Sequence, residues 1–145
     1  MPIIDGSPLS SKPPEAGVEI SSRQFADIVV AVPVGRIDHS AASKFMEGLA
    51  PHLDAPDGNA GVVIDFAGVD YISSVGLRVL MIAAKQMREH QAQLLVAELQ
   101  DVVAEIFAIS RFDRVLTLVP TLDDAMARCS PAAQASYREG AGSSR

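Results

Sequence analysis

The chain has 145 residues, a single cysteine and a formal net charge of −6 at neutral pH. That length fits one domain able to bury a core, and the acidic balance argues against direct binding of nucleic acid, which needs a basic footprint. Cys129 cannot close an internal disulfide, no uncharged apolar run approaches the roughly 20 residues of a membrane span, and Met1-Pro2-Ile3-Ile4-Asp5 lacks the features of a signal peptide, so a cytoplasmic protein is expected.

Residues 1–16 carry Pro2, Pro8, Pro13 and Pro14 among serines and small residues, a composition that predicts a disordered tail. Val18 and Ile20 then alternate with Glu19 and Ser21, the pattern of a half-buried strand. Phe25-Ala26-Asp27 turns the chain into a second strand, Ile28 to Val34. Pro33 lacks a ladder donor, which predicts a bulge or an unpaired donor side. Gly35-Arg36-Ile37-Asp38 leads into a helix from Ala41 to about Leu53, with Phe45, Leu49 and Leu53 on one face and Asp38 or Ser40 as its cap. His39 and His52 have no acidic or cysteine partners at ligand spacing, so no metal site is expected. Residues 54–59 have the turn chemistry of a loop.

The next stretch organises the chain. Val62-Val63-Ile64 is a continuous apolar run, as in a central strand buried on both faces, and Gly68 marks a turn. Ser73 and Ser74 stand where the following helix wants an N-cap. Along that helix Leu77, Leu80, Ala84 and Met87 form one apolar face and Val75, Val79 and Ile82 another, with Arg78, Lys85, Arg88 and Glu89 as the polar stripe. Ser74, Arg78, Met81 and Lys85 share one line. Arg78 can therefore reach toward Ser74, and Met81 offers an apolar spot for a partner. Three readings of Ser74 stand: an N-cap, a phosphorylation site whose phosphate rests on the helix N-terminus, and a nucleophile. The last would need glycine at 72 to complete G-x-S-x-G, where Ile72 stands.

Gln93 to Glu98 reads as another buried strand. Asp101 is placed to cap a helix carrying Val102, Val103, Ile106, Phe107 and Ile109. Val115 to Val119 forms a last strand, and Thr121 caps a short helix with Leu122, Ala125 and Met126 facing inward. A Gly/Ser-rich end predicts a second tail over 131–145, leaving a domain at 17–130. Strands alternating with helices imply parallel pairing. The expected class is α/β: a mixed, mostly parallel sheet with an N-terminal hairpin and about four helices.

Asp65-Phe66-Ala67-Gly68-Val69-Asp70-Tyr71-Ile72-Ser73-Ser74-Val75-Gly76-Leu77-Arg78-Val79-Leu80 closely resembles the signature of the STAS family, the domain shared by sulphate transporters and bacterial anti-sigma-factor antagonists. Gly35-Arg36-Ile37-Asp38 and the segment from Glu105 to Phe112 extend the resemblance, which spans about 18–129. It implies the STAS fold and phosphorylation at Ser74, two places before the Gly76-Leu77 pair. Asp38 is a neighbour of the site or a plain cap, and Gly76 and Arg78 also adjoin it. Ser73 stands where many members carry an acid, and is a rival acceptor. Val75, Leu77 and Met81 are candidate partner contacts.

The implied function is partner switching in transcription regulation, with no catalysis and no cofactor. The unphosphorylated form would bind an anti-sigma factor and serine kinase of the histidine-kinase-like ATPase type. That kinase would phosphorylate Ser74, and a phosphatase would reverse it. The alternative is an unphosphorylated STAS scaffold subunit of a transport or signalling complex, with Ser74 only a cap.

Overall fold

A computed structural model describes residues 17–53 and 61–143. The tail expected at 1–16 and the loop expected at 54–59 lie outside the described residues.

The chain enters as a hairpin, β1 (Val18–Phe25) and β2 (Ile28–Ile37), paired antiparallel from Val18↔Gly35 to Phe25↔Ile28. The reversal is made at Ala26, whose φ of 56° is left-handed. A 3-10 turn (His39–Ala41) runs into α1 (Ala42–Leu53). Two short strands follow, β3 (Gly61–Asp65) and β4 (Val69–Ile72), then α2 (Ser74–Glu89). β5 (Gln93–Ala97), α3 (Asp101–Ile109), a 3-10 turn (Phe112–Arg114), β6 (Thr117–Val119), α4 (Leu122–Cys129) and α5 (Pro131–Ser143) complete the order.

The six strands form one sheet in the order β1-β2-β3-β5-β6, with β4 also on β2. All pairs after the hairpin are parallel. β3 and β4 use different lengths of β2, the first ending at Ala31↔Ile64 and the second beginning at Gly35↔Val69. Pro33 falls in the gap between them, where β2 needs no ladder donor for either partner.

Side-chain alternation splits β3 between two layers. Val62 and Ile64 join a core beneath α1, α2 and α3, with Phe45, Leu49, Leu80, Met87 and Phe107. Val63 joins a second, beneath α4 and α5, with Leu122, Met126 and Ala133. Phe66, at the break between β3 and β4, touches both flanking helices: its ring centroid lies 6.4 Å from that of Phe45 and 6.2 Å from that of Phe107.

Four expectations need correction. Val69–Ile72 is a strand, not the tail of a turn. Its buried ends, Val69 and Ile72, bracket the outward Asp70 and Tyr71, too short a segment to announce its period. The cap of α3 is Gln100, with Asp101 in the first turn; the Gln100 side chain instead donates to the Ala67 carbonyl at 2.8 Å. Ile82, expected on an inward face of α2, is 48% exposed.

The fourth correction concerns 131–143, expected as a tail and found as α5, which makes five α-helices among the described residues. Ser130 holds its start by accepting from the Ala133 N–H (3.2 Å). Ala133 is buried, Tyr137 packs edge-on against Phe25 at 5.4 Å, and Arg138 forms a forked pair with Asp123 at 2.9 Å. These anchors outweigh a low-complexity composition.

Burial beside α4 and α5, reinforced by the Asp27 charge, pushes the Cys129 thiol up to about 11. Tyr137→Ala should therefore lower stability by about 1–3 kcal/mol and speed labelling of Cys129. Urea melts and the rate of reaction with a thiol reagent check both; parental values in the variant would contradict the docking of α5.

Candidate functional site

The site lies where β2 and β4 end side by side. Arg36 pairs with Tyr71 and Ile37 with Ile72. The register shifts just before, between Gly35 and Arg36. Gly35 takes φ 122°, and a Cβ there would run into the Gly17 carbonyl, so glycine is required. The Gly35 N–H donates to Gly68 (2.9 Å). That turn is held by Asp65, which accepts from the Ala67 N–H (2.9 Å).

Both strands then turn into helices through an extended residue that acts as N-cap. Asp38 (φ −83°, ψ −174°) accepts from the Ala41 N–H at 2.9 Å, and also from the Ser40 hydroxyl at 2.9 Å. Ser73 (φ −84°, ψ 170°) accepts from the Gly76 N–H at 3.2 Å. The Ser73 N–H donates to the Ile37 carbonyl at 2.8 Å, which ties the second cap to the end of β2 and sets it beside the first.

The cap reading of Ser74 is thereby corrected. Ser73 is the cap and is buried; Ser74 is the first helical residue and exposed. The reason is local: only the residue with extended backbone can turn its side chain back onto the N–H three places on. Ser74 is exposed at the first position of the helix, where backbone N–H groups lack intrahelical acceptors.

Gly76 lets that turn sit close. A Cβ there would lie 2.8 Å from both Ile37 Cγ2 and Ile72 Cγ1, so the helix start is pressed against both strand ends. Arg78 is exposed one turn on, at the i+4 position from Ser74. Of the expected partner contacts, Val75 is half-buried and packs on the core, and Met81 is half-buried. Leu77 is only 2% exposed and belongs to the core, as its place on the apolar face with Leu80, Ala84 and Met87 implied. Ile82 is at the surface instead of on an inward face. Its spacing held the signal, since Ser74, Arg78 and Ile82 run i, i+4, i+8.

The Ser40 hydroxyl, then the Ala41 N–H, and more weakly the Arg36 charge hold the Asp38 carboxyl below its usual 3.8. Asp38 is thus a fixed negative charge and a poor proton acceptor. The Arg36 guanidinium lies 4.5 Å from the Tyr71 ring centroid, a contact the sequence reading did not raise. Among the described residues no group of three or more His, Cys, Asp or Glu is placed to hold a metal ion.

A model of the STAS domain matches residues 19–125. A Bordetella bronchiseptica protein named "Putative anti-sigma factor antagonist BtrV" is 35% identical over 95 residues, covering 66% of this chain and 80% of that protein. The fold is similar to the crystal structure of an anti-sigma factor antagonist from Mycobacterium paratuberculosis (TM-score 0.70, 20% identity, 81% of this chain and 98% of that one). It is also similar to the Bacillus cell fate determinant SpoIIAA in its phosphorylated form (TM-score 0.57, 12% identity, 77% and 100%). At those identities the two structures speak for the fold alone.

The division of labour between the two serines is measurable. Ser73→Ala should cost about 0.5–2 kcal/mol as the loss of a cap, and Ser74→Ala no more than about 0.5 kcal/mol as a surface change. Urea melts of both variants decide it; the reverse order would return the cap to Ser74. For Asp38, the lowered pKa gives stability that is full above 3.8 and is lost as pH falls below it. Parental Tm should therefore drop relative to that of Asp38→Asn as pH is taken down through that range. Parallel profiles would show that the carboxylate charge adds nothing to the cap.

Proposed function

The chain belongs to the STAS domain family, and on that premise we propose that it is an anti-sigma-factor antagonist switched by phosphorylation of Ser74. In this reading the unmodified protein binds an anti-sigma factor that is also a serine kinase of the histidine-kinase-like ATPase type. Binding frees the sigma factor. The kinase passes the γ-phosphoryl group of ATP to Ser74 Oγ: the bond from that phosphorus to the ADP oxygen breaks, a bond to Oγ forms, and the hydroxyl proton leaves to a base of the kinase. A phosphatase restores the hydroxyl. The chain is substrate and switch, with no catalytic role.

The observation that carries this reading is the contrast between neighbouring serines. Ser73 spends its hydroxyl on the helix cap, whereas Ser74 is exposed in the first turn. A group added at Ser74 leaves the cap and the core beneath it untouched. It brings about −1.5 to −2 charges to a patch that already holds the fixed negative charge of Asp38. The helix N-terminus tolerates that charge; an opposing protein surface fitted to a neutral hydroxyl does not. The effect is repulsion and desolvation at a contact, without refolding.

No helix among the described residues is long and apolar enough to cross a membrane, and the proposed partners are proteins met in the cytoplasm. Binding provides the test. Against the purified kinase, Ser74→Ala should bind as the parent does and stay bound when ATP is added. Ser74→Asp should bind at least about tenfold more weakly while melting no lower than Ser74→Ala. Equal affinities for parent and Ser74→Asp, or release of Ser74→Ala by ATP, would refute the switch.

A further inference from the structure

Arg36 is exposed at the end of β2, one rung before the strands stop. Its guanidinium is stacked 4.5 Å from the centroid of Tyr71, its own register partner on β4. Its backbone N–H donates to the Gly17 carbonyl at 2.8 Å, and among the described residues the guanidinium's contact is the Tyr71 ring. Asp38 acts on Arg36 through space, but the same Asp38 oxygen already accepts from both the Ser40 hydroxyl and the Ala41 N–H. The result is a planar cation seated on an aromatic ring, whose fork of donors meets no acceptor among the described residues. Such a group is preorganised for two parallel hydrogen bonds to a carboxylate. The Arg36–Tyr71 rung lies two residues, roughly 7 Å of strand, before Asp38 and Ser73. In a chain with a net charge of −6, an exposed cation at this spot matters to anything acidic that docks there.

We infer that Arg36, seated on Tyr71, selects the partner protein by taking one of its carboxylate side chains in a two-pronged ion pair beside Ser74. The inference rests on the reading of Ser74 as the switched contact and adds what the contact recognises. A phosphate on Ser74 has Arg78 and the helix N–H groups on its own element, which leaves Arg36 for the partner. Phosphorylation then repels the incoming carboxylate. Tyr71 is a positioning residue, holding the fork flat and outward at the rim of the site.

The experiment titrates parent, Arg36→Ala, Arg36→Lys, Arg36→Glu, Tyr71→Phe and Tyr71→Ala against the purified partner kinase at two salt concentrations, with melts to confirm folding. Arg36→Ala should bind about tenfold more weakly or worse and lose much of the salt dependence. Arg36→Lys should recover part of the affinity, since it keeps the charge but not the fork. Tyr71→Phe keeps the ring and should bind as the parent, whereas Tyr71→Ala should be weakened. An acid-to-Arg change in the partner should rescue Arg36→Glu.

If Arg36→Ala binds within about twofold of the parent while Ser74→Asp still breaks the complex, the Ser74 reading stands and this inference fails. If Arg36→Ala binds normally but accepts phosphate from ATP more slowly, the guanidinium serves the transferring phosphate, and the partner-carboxylate assignment is overturned. If neither Arg36→Ala nor Ser74→Asp changes binding, or no kinase binds the parent, both readings fall together.

Discussion

The pairing of Ile37 with Ile72 sets the geometry of everything around the site. It is the last rung of a parallel ladder, and in a parallel pair both strands run out at the same end. Whatever follows each must turn away from the same place. The backbone bond from Ser73 N–H to Ile37 carbonyl extends that contact by one step. Gly76 then allows the start of α2 to press on both isoleucines. Two helix caps, two loops and one stacked Arg–Tyr pair are therefore neighbours in space although about 35 residues separate them in sequence. A one-residue slip of β4 on β2 would turn Ile72 outward and carry Ser74 to the wrong side.

A rigid base of this kind suits a switch that works by contact. Ser73 caps the helix through its own hydroxyl, so on the proposed reading stability and signal are carried by different hydroxyls. On the proposed reading, modification changes charge at the surface and leaves the packing beneath it alone. The anion at Asp38 and the exposed cation at Arg36 then give the patch a mixed electrostatic pattern, and a pattern of that sort contributes more to choice of partner than to raw affinity.

Much of this was legible in the chain. The run Val62-Val63-Ile64 announced a strand buried on both faces, the four-residue spacing of Phe45, Leu49 and Leu53 announced α1, and Thr121 announced the cap of α4; each stands as read. What stayed hidden had physical reasons. A four-residue strand such as Val69–Ile72 shows barely two periods of alternation. The choice between Ser73 and Ser74 as cap depends on which has extended backbone, and composition is silent on that. Ile82 left its expected inward face because α2 buries an arc whose edge cannot be fixed to one residue by periodicity. α5 was obscured by its alanines, glycines and serines; its anchors, Tyr137 on Phe25 and Arg138 on Asp123, are long-range contacts. The Arg36–Tyr71 stack required the strand register, which no local pattern supplies.

The central claim is that Ser74 receives the signal and Ser73 holds the fold. The most direct measurement is to incubate the full chain with its partner kinase and ATP, weigh the intact protein, and locate the added group by fragmenting the peptide that carries both serines. The account predicts one phosphate, on Ser74, with Ser73 unmodified and the backbone amides of α2 as slow to exchange with solvent as before. A phosphate on Ser73, or a modified protein in which the first turn of α2 has melted, would contradict it.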